Sequence, residues 1–343
     1  KPCVSANVGD QFGASNQHLL PRVFNWFYFS INIGSAFSTL LIPWLLEPFK
    51  ASEGLAARFS PGFIRFLESA RLHSPDVAFG IPGVFMALAT IVFWFGRRKF
   101  VHIPPAGLGN YAREIFTRDT LKTLGFLLIP VPFVAIFWSL WYQNFSSWVL
   151  QAEKMDRNLF GHEWLSAQIQ TVNPIFILIM LPLFSYVVYP LVGKIVTLTP
   201  LRKIGAGLFV LVGAFLIVAW IQTRIDAGAR PNIIWQILAL VVLTAGETLV
   251  SPTHLEFAYT QAPQKLKSLV MCTYLGAIFL GNIFTAAVNF FIQNPDGTVK
   301  LSGASYFYFF VIVMSGAAVL FVFVARFYQG KIYLQDEAEP ARS

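Results

Sequence analysis

Glu247, in the stretch GETLVSPTHLEF, is an acid set inside an apolar run that begins IIWQILALVVLTA. A carboxylate at membrane depth costs about 2.5–3.5 kcal/mol on insertion scales, so a functional role is the default expectation. On a helix of 3.6 residues per turn, Thr244 lies one turn before it, Ser251 one turn after and His254 two turns after. A single polar stripe on an apolar helix predicts a face turned toward a water-filled cavity. The bland alternative is a structural glutamate hydrogen-bonded across two helices. Burial favours the neutral acid and a neighbouring cation favours the carboxylate, so a group balanced between them takes and releases a proton near neutral pH. The candidate cation is Lys1, followed by Pro2, although a terminal lysine read alone carries no information.

Trp138 and Trp141 in FWSLWYQNFSSW are three apart and share a helix face with Tyr142 and Phe145. Such a stripe is either packing or a ligand wall. Gln143, Asn144 and the two serines beside it tilt this one toward a wet cavity. Asn32 in FYFSINIGS and Asn173 in VNPIF are uncharged hydrogen-bonding groups inside or at the edge of apolar runs. As interhelical contacts they are worth under about 1 kcal/mol. Enzyme signals are poor. The histidines at 18, 73, 102, 162 and 254 are scattered, and neither HExxH nor GxSxG occurs. No glycine-rich phosphate loop precedes a helix, which argues against a pump driven by ATP. Cys3 and Cys272 lie in or beside apolar runs and read as small hydrophobes, with no disulfide framework and no metal site.

The elements that must position these residues are membrane helices. The 343-residue chain is 56% hydrophobic and 12% charged, about half the charge of a soluble domain. Its net charge of +8 has no soluble basic face to sit on, so nucleic acid is not an expected partner. Runs long enough to cross a bilayer, about 20 residues each, cover roughly 23–49, 77–96, 123–150, 169–193, 206–223, 232–253, 269–290 and 304–325. KPCVSANV resembles the tail of one more. The chain begins Lys-Pro-Cys rather than with Met, and polar VGDQFGASNQ follows where a signal peptide would be apolar, which predicts a fragment of a longer protein. Lys and Arg alternate between connections, about 15 on one set of loops against 9 on the other. The richer set, including Arg22, Arg97, Arg202, Lys203 and Arg326, is assigned to the cytoplasm. The longest basic connection, RRKFVHIPPAGLGNYAREIFTRDTLK, reads as a cytoplasmic linker between helix bundles. Prolines in IPVPF, Asn173-Pro174 and Ser251-Pro252 interrupt apolar runs and free carbonyls that need partners. Two-fold organisation with interrupted helices is a transporter pattern.

Several of these stretches together resemble the proton-coupled oligopeptide transporter family of the major facilitator superfamily. KPCVSANVGDQF is similar to the end of that family's fourth helix and FYFSINIGS to its fifth-helix motif. FWSLWYQNFSSWVLQAEKMDR resembles the seventh helix and NPIFILIMLPLF the eighth. GETLVSPTHLEFAYTQAPQKLKS, followed by LGN, resembles the tenth helix and the start of the eleventh. The resemblance implies an all-α integral membrane protein with the major facilitator fold. Its parts would be a partial N-terminal bundle (end of helix 4, helices 5 and 6) over 1–98, a linker over 99–122, a complete six-helix C-terminal bundle over 123–328 and a cytoplasmic tail over 329–343.

It also implies a function: a proton-coupled symporter in the cell membrane that imports di- and tripeptides by alternating access, as a monomer in the lipid bilayer, with the proton gradient in place of any cofactor. Lys1 and Glu247 would face each other across a central cavity and carry the proton coupling. Lys1 would meet the peptide carboxylate, and Glu247 the amino end with Asn32 and Asn173. Trp138, Trp141, Ser251 and Tyr274 complete the implied substrate site. The sequence departs from the family in three places. The first-helix ExxER motif is absent, Tyr142 stands where many members have an acid, and Tyr274 where members often have Trp. Coupling mechanism and peptide preference therefore stay open. So do two alternatives, a related facilitator for nitrate, a drug or an amino-acid conjugate, and a truncated membrane protein that transports nothing.

Overall fold

The computed structural model of the chain describes residues 2–13, 15–46, 75–101, 116–166, 168–261, 267–294 and 299–328. It is built from helices: α1 (Pro2–Asp10), α2 (Leu20–Leu46), α3 (Pro75–Gly96), α4 (Arg118–Leu128), α5 (Val131–Trp141), α6 (Ser147–Glu153), α7 (Val172–Leu183), α8 (Tyr189–Gly193), α9 (Pro200–Asp226), α10 (Ile234–Thr260), α11 (Lys267–Ile292) and α12 (Ala304–Phe327). Among the described residues seven helical stretches are long and apolar enough to cross a membrane. They are Pro75–Gly96, Thr120–Glu153, Gln168–Gly193, Pro200–Asp226, Ile234–Thr260, Leu269–Ile292 and Ala304–Phe327. They match all but the first of the expected spans. Most of that first span, 23–49, is helix α2, and its last residues lie outside the described set. The chain is a multi-pass membrane protein.

Two stretches read as single spans are broken, each at proline. In IPVPF, α4 ends at Leu128 and α5 starts after Pro130, with Pro132 in its first turn. Proline there loses no intrahelical bond, because first-turn amides have no partner to give up. The last turns of α5 then tighten into a 3-10 turn over Tyr142–Phe145 before α6. In the next span Pro182 precedes a π-turn over Phe184–Val188 that joins α7 to α8, an expected response to a missing amide donor. The resulting offsets decide which faces α5 and α7 present. α9, in contrast, is a continuous 27-residue helix with Thr199 as its N-cap, accepting from the Arg202 amide at 3.3 Å, and Pro200 at its first position. α10 runs through Pro252 without a break, so Glu247 sits near the middle of its 27 residues.

The chain divides into two compact units, 1–32 with 103–343, and 33–102. The smaller holds the second half of α2 and α3, where the Phe37 and Phe85 rings meet edge to face at 6.3 Å. The larger holds α1, the first half of α2 and α4 through α12. Within it α9 packs on α10 and α12, and α5 packs on α11. The α5–α11 approach is backbone to backbone. A Cβ at Gly281 would lie 2.4 Å from the Ala135 carbonyl oxygen and 2.8 Å from the Ser139 amide. Beside this contact the Ser139 and Thr285 hydroxyls share a hydrogen bond of 2.6 Å. Small residues and hydroxyl pairs are the usual means of bringing membrane helices this close.

One end of the larger unit is stapled by neutral amides. Gln151 on α6 donates to Gln222 on α9 at 2.9 Å and to the Val218 carbonyl at 3.1 Å. Gln236 on α10 donates to the Trp148 carbonyl at 2.8 Å and to Gln151 at 3.3 Å. Gln222 passes the chain on to Asp226 at 2.9 Å, and Asp226 accepts from the first amide of α12 at 2.7 Å. All three glutamines are buried.

Candidate functional site

Glu247 is 2% exposed, and its carboxylate is met from three other helices. The Tyr28 hydroxyl of α2 donates to Oε1 at 2.5 Å. The Trp141 indole of α5 donates to Oε2 at 2.7 Å, and the Asn173 amide of α7 donates to the same oxygen at 2.8 Å. Asn173 is shared with the Thr244 hydroxyl at 3.0 Å, one turn down α10. Two of the three donors stand at the ends of their elements. Trp141 is the last residue of α5, held by Asn144, which donates to its carbonyl at 2.6 Å from the following 3-10 turn. Asn173 lies in the first turn of α7.

The aromatic stripe is assembled around this carboxylate. Trp138 meets Trp141 edge-on at 5.2 Å, and Trp141 meets Tyr142 at 4.9 Å and Phe145 at 5.4 Å. Tyr274 from α11 closes on Trp138 at 5.9 Å and on the His254 ring at 5.5 Å. Ser251 is fully buried beside Tyr28 and Tyr274. Two buried nitrogens here, Trp138 Nε1 and His254 Nδ1, have no hydrogen-bond partner among the described residues.

Trp138, Trp141, Asn173, Glu247, Ser251 and Tyr274 therefore come together as the sequence reading expects. Asn32 does not reach the carboxylate. It is buried and donates to the Tyr28 carbonyl one turn earlier on α2 at 2.9 Å, so it braces the residue that does. Lys1 lies outside the described residues, and among those described no basic group pairs with Glu247. Two expectations change. The polar stripe of α10 is sealed rather than open, because Tyr28 and Trp141 cover the carboxylate. Gln143 and Asn144 do not line a wet wall either. They are buried and bond back to Ser139 and Trp141 of their own helix end. The residue the sequence reading missed is Tyr28. Its signal was faint: one more aromatic in FYFSINIGS, marked out only by sitting a turn from Asn32 on the same face.

At the C-terminal end of α10 the helices close on one another. The Tyr259 hydroxyl donates to Asp10 of α1 at 3.2 Å, and its ring meets Phe24 of α2 at 5.6 Å. Gly9 makes this possible, since a Cβ there would fall 2.3 Å from the Tyr259 ring.

Comparison with known proteins agrees with the geometry. The sequence profile of the POT family matches residues 1–123 and 108–305. Peptide transporter 3 of Caenorhabditis elegans is 31% identical over 66% of this chain and 34% of its own length. Solute carrier family 15 member 2 of Mus musculus is 31% identical over 74% of this chain and 37% of its own. The chain thus spans about a third of the curated relatives it matches. Among solved structures, the POT family transporter PepTSo superposes with a TM-score of 0.71 at 30% identity, covering 96% of this chain and 75% of that one. An auto-inhibited POT family peptide transporter gives 0.70 at 28%, covering 99% and 76%. The architecture is accordingly the major facilitator fold of those transporters. With the profile matching nearly nine-tenths of its length, the chain belongs to the POT family.

Proposed function

We propose that the protein to which this chain belongs is a proton-coupled importer of short peptides, and not an enzyme, with Glu247 as the group that alternates between substrate and proton. The observation that carries this is the carboxylate itself. It is buried at mid-helix and held by Tyr28, Trp141 and Asn173 with no basic partner among the described residues. An uncompensated buried charge is costly, so the group needs either a cation or a proton. A peptide's terminal ammonium supplies the first and brings donors that replace the Tyr28 hydroxyl and the Trp141 indole. Solvent supplies the second when no peptide is bound. Because Tyr28 comes from α2 and the carboxylate from α10, exchanging one for the other alters how these two helices are held together. That is the link between occupancy and alternating access. On the family pattern Lys1 meets the peptide carboxylate, and Trp138 and Tyr274 form the side-chain pocket. The same pattern supports the expected division into a partial bundle over 1–98, a linker over 99–122, a six-helix bundle over 123–328 and a tail over 329–343.

The test is uptake by the full-length protein in proteoliposomes under an inward proton gradient. The wild type concentrates labelled dialanine, unlabelled dipeptide competes, and a free amino acid does not. Accumulation by Glu247→Gln at the wild-type rate refutes the assignment.

A further inference from the structure

A second cavity lies apart from the carboxylate site, at the end of the molecule that the loop charges assign to the cytoplasm. It holds about 1100 Å³ between the start of α9, the last turns of α10 and α12 and the start of α2. Its wall is divided by chemistry. Arg202 and Arg326 line it from α9 and α12, and both are exposed. Arg202 spends one nitrogen on the Thr197 carbonyl at 2.7 Å, which leaves the rest of its fork free to turn to a ligand. The one acid in the wall, Glu256, has Lys203 of α9 as its nearby positive charge, and Lys203 itself lies 4.5 Å from the Tyr189 ring. Below the arginines the lining turns apolar, with Phe209, Phe321 and Ala325. Phe209 is 46% exposed, more than a packed helix contact leaves open.

We infer that this cavity binds an anionic phospholipid, its phosphate held between Arg202 and Arg326 and an acyl chain laid along Phe209 and Ala325. Charge complementarity selects the headgroup. Among the described residues neither guanidinium has an acidic partner, and the acid in the wall already has a lysine nearby. Basic pockets between membrane helices on the cytoplasmic side take phosphate-bearing headgroups, each arginine adding about fivefold to affinity. The apolar lower wall selects a lipid over a soluble phosphate, because a soluble anion gains nothing from the exposed ring of Phe209. None of these residues takes part in the Glu247 cluster, so the inference stands or falls separately from the transport reading.

The test uses full-length protein purified from nanodiscs of phosphatidylcholine with a minority of phosphatidylglycerol, and native mass spectrometry counts the lipids retained. Retained phosphatidylglycerol, about 25-fold reduced in the double variant Arg202→Gln/Arg326→Gln, is the expected result. Ala325→Trp, which narrows the apolar wall and leaves both arginines in place, lowers retention as well. Glycerol 3-phosphate at millimolar concentration leaves retention unchanged. Equal retention by wild type and double variant overturns the inference, as does equal retention of phosphatidylcholine. Full displacement by glycerol 3-phosphate overturns it too, since the site would then be one for soluble phosphate.

Discussion

Two buried polar clusters hold the helices of this molecule together, and they differ in kind. The glutamine chain of Gln151, Gln222 and Gln236 joins α6, α9 and α10 with neutral amides, and an acid enters only at its outer end, where Asp226 links Gln222 to the first amide of α12. The cluster at Glu247 joins α2, α5, α7 and α10 around a single ionisable group. Neutral amides carry one protonation state, so the bonds among them change only if the helices part. A carboxylate's bonds change whenever it gains a proton or a cationic partner. The first cluster is therefore suited to making several helices move as one body, and the second to marking where one body meets another. Both are ordinary hydrogen-bonded networks buried between apolar helices, and their chemistry sets which can act as a switch.

Substitutions that remove one cluster and spare the other test this division. The largest effect is expected from Glu247→Gln, which keeps the shape, and the hydrogen bonds once the Tyr28 hydroxyl turns to accept from the new amide, but removes the charge. Gradient-driven dipeptide uptake should fall by about a hundredfold or more, a loss of about 3 kcal/mol for a charged group with several partners. Thermal stability, read in detergent, should hold or rise, because a neutral amide is easier to bury. Asn173→Ala removes the donor shared between Glu247 and Thr244. A rise of about tenfold in the KM for dipeptide is expected, with a smaller change in maximal rate. Tyr28→Phe deletes the one donor from α2 and leaves the packing. The expected change is about fivefold in uptake, together with greater labelling of a cysteine introduced at Ser30 or Thr244, since α2 is then held less firmly to α10. Gln236→Leu should do the reverse of Glu247→Gln. Uptake stays within about twofold, while the melting temperature falls by a few degrees, in line with about 0.6–1 kcal/mol for an interhelical hydrogen bond. Loss of transport in Gln236→Leu with unchanged melting would erase the distinction between the clusters.

Much of the site is legible in the sequence because its strongest signal is an anomaly. Glu247 stands out in an apolar run, and the stripe from Thr244 to His254 follows from helical spacing alone. Trp138 and Trp141 fall on one face for the same reason. What spacing leaves out is the partner from a distant helix. Tyr28 is one aromatic among many in α2, and only the fold brings it 219 residues along the chain to Glu247. Asn32, expected beside Glu247 at the peptide's amino end, donates to the Tyr28 carbonyl, and a single turn of helix decides which of the two reaches the carboxylate. Whether a polar stripe is open or covered depends on how helices far apart in sequence close, which no local pattern encodes. The broken spans divide in the same way. Of the prolines read as interruptions, those in IPVPF mark a break while Pro174 and Pro252 leave α7 and α10 continuous, and the irregular turn after Pro182 was not among those expected; tertiary packing chooses between these outcomes.

The contact of Gly9 with Tyr259 carries a consequence of its own. A tyrosine ring laid flat on bare backbone makes a lid with no tolerance. One methyl group at residue 9 is a wedge that pries the ring away and pulls its hydroxyl off Asp10. The closeness of α1 to the end of α10 is thus a property of a hydrogen atom where every other amino acid has carbon.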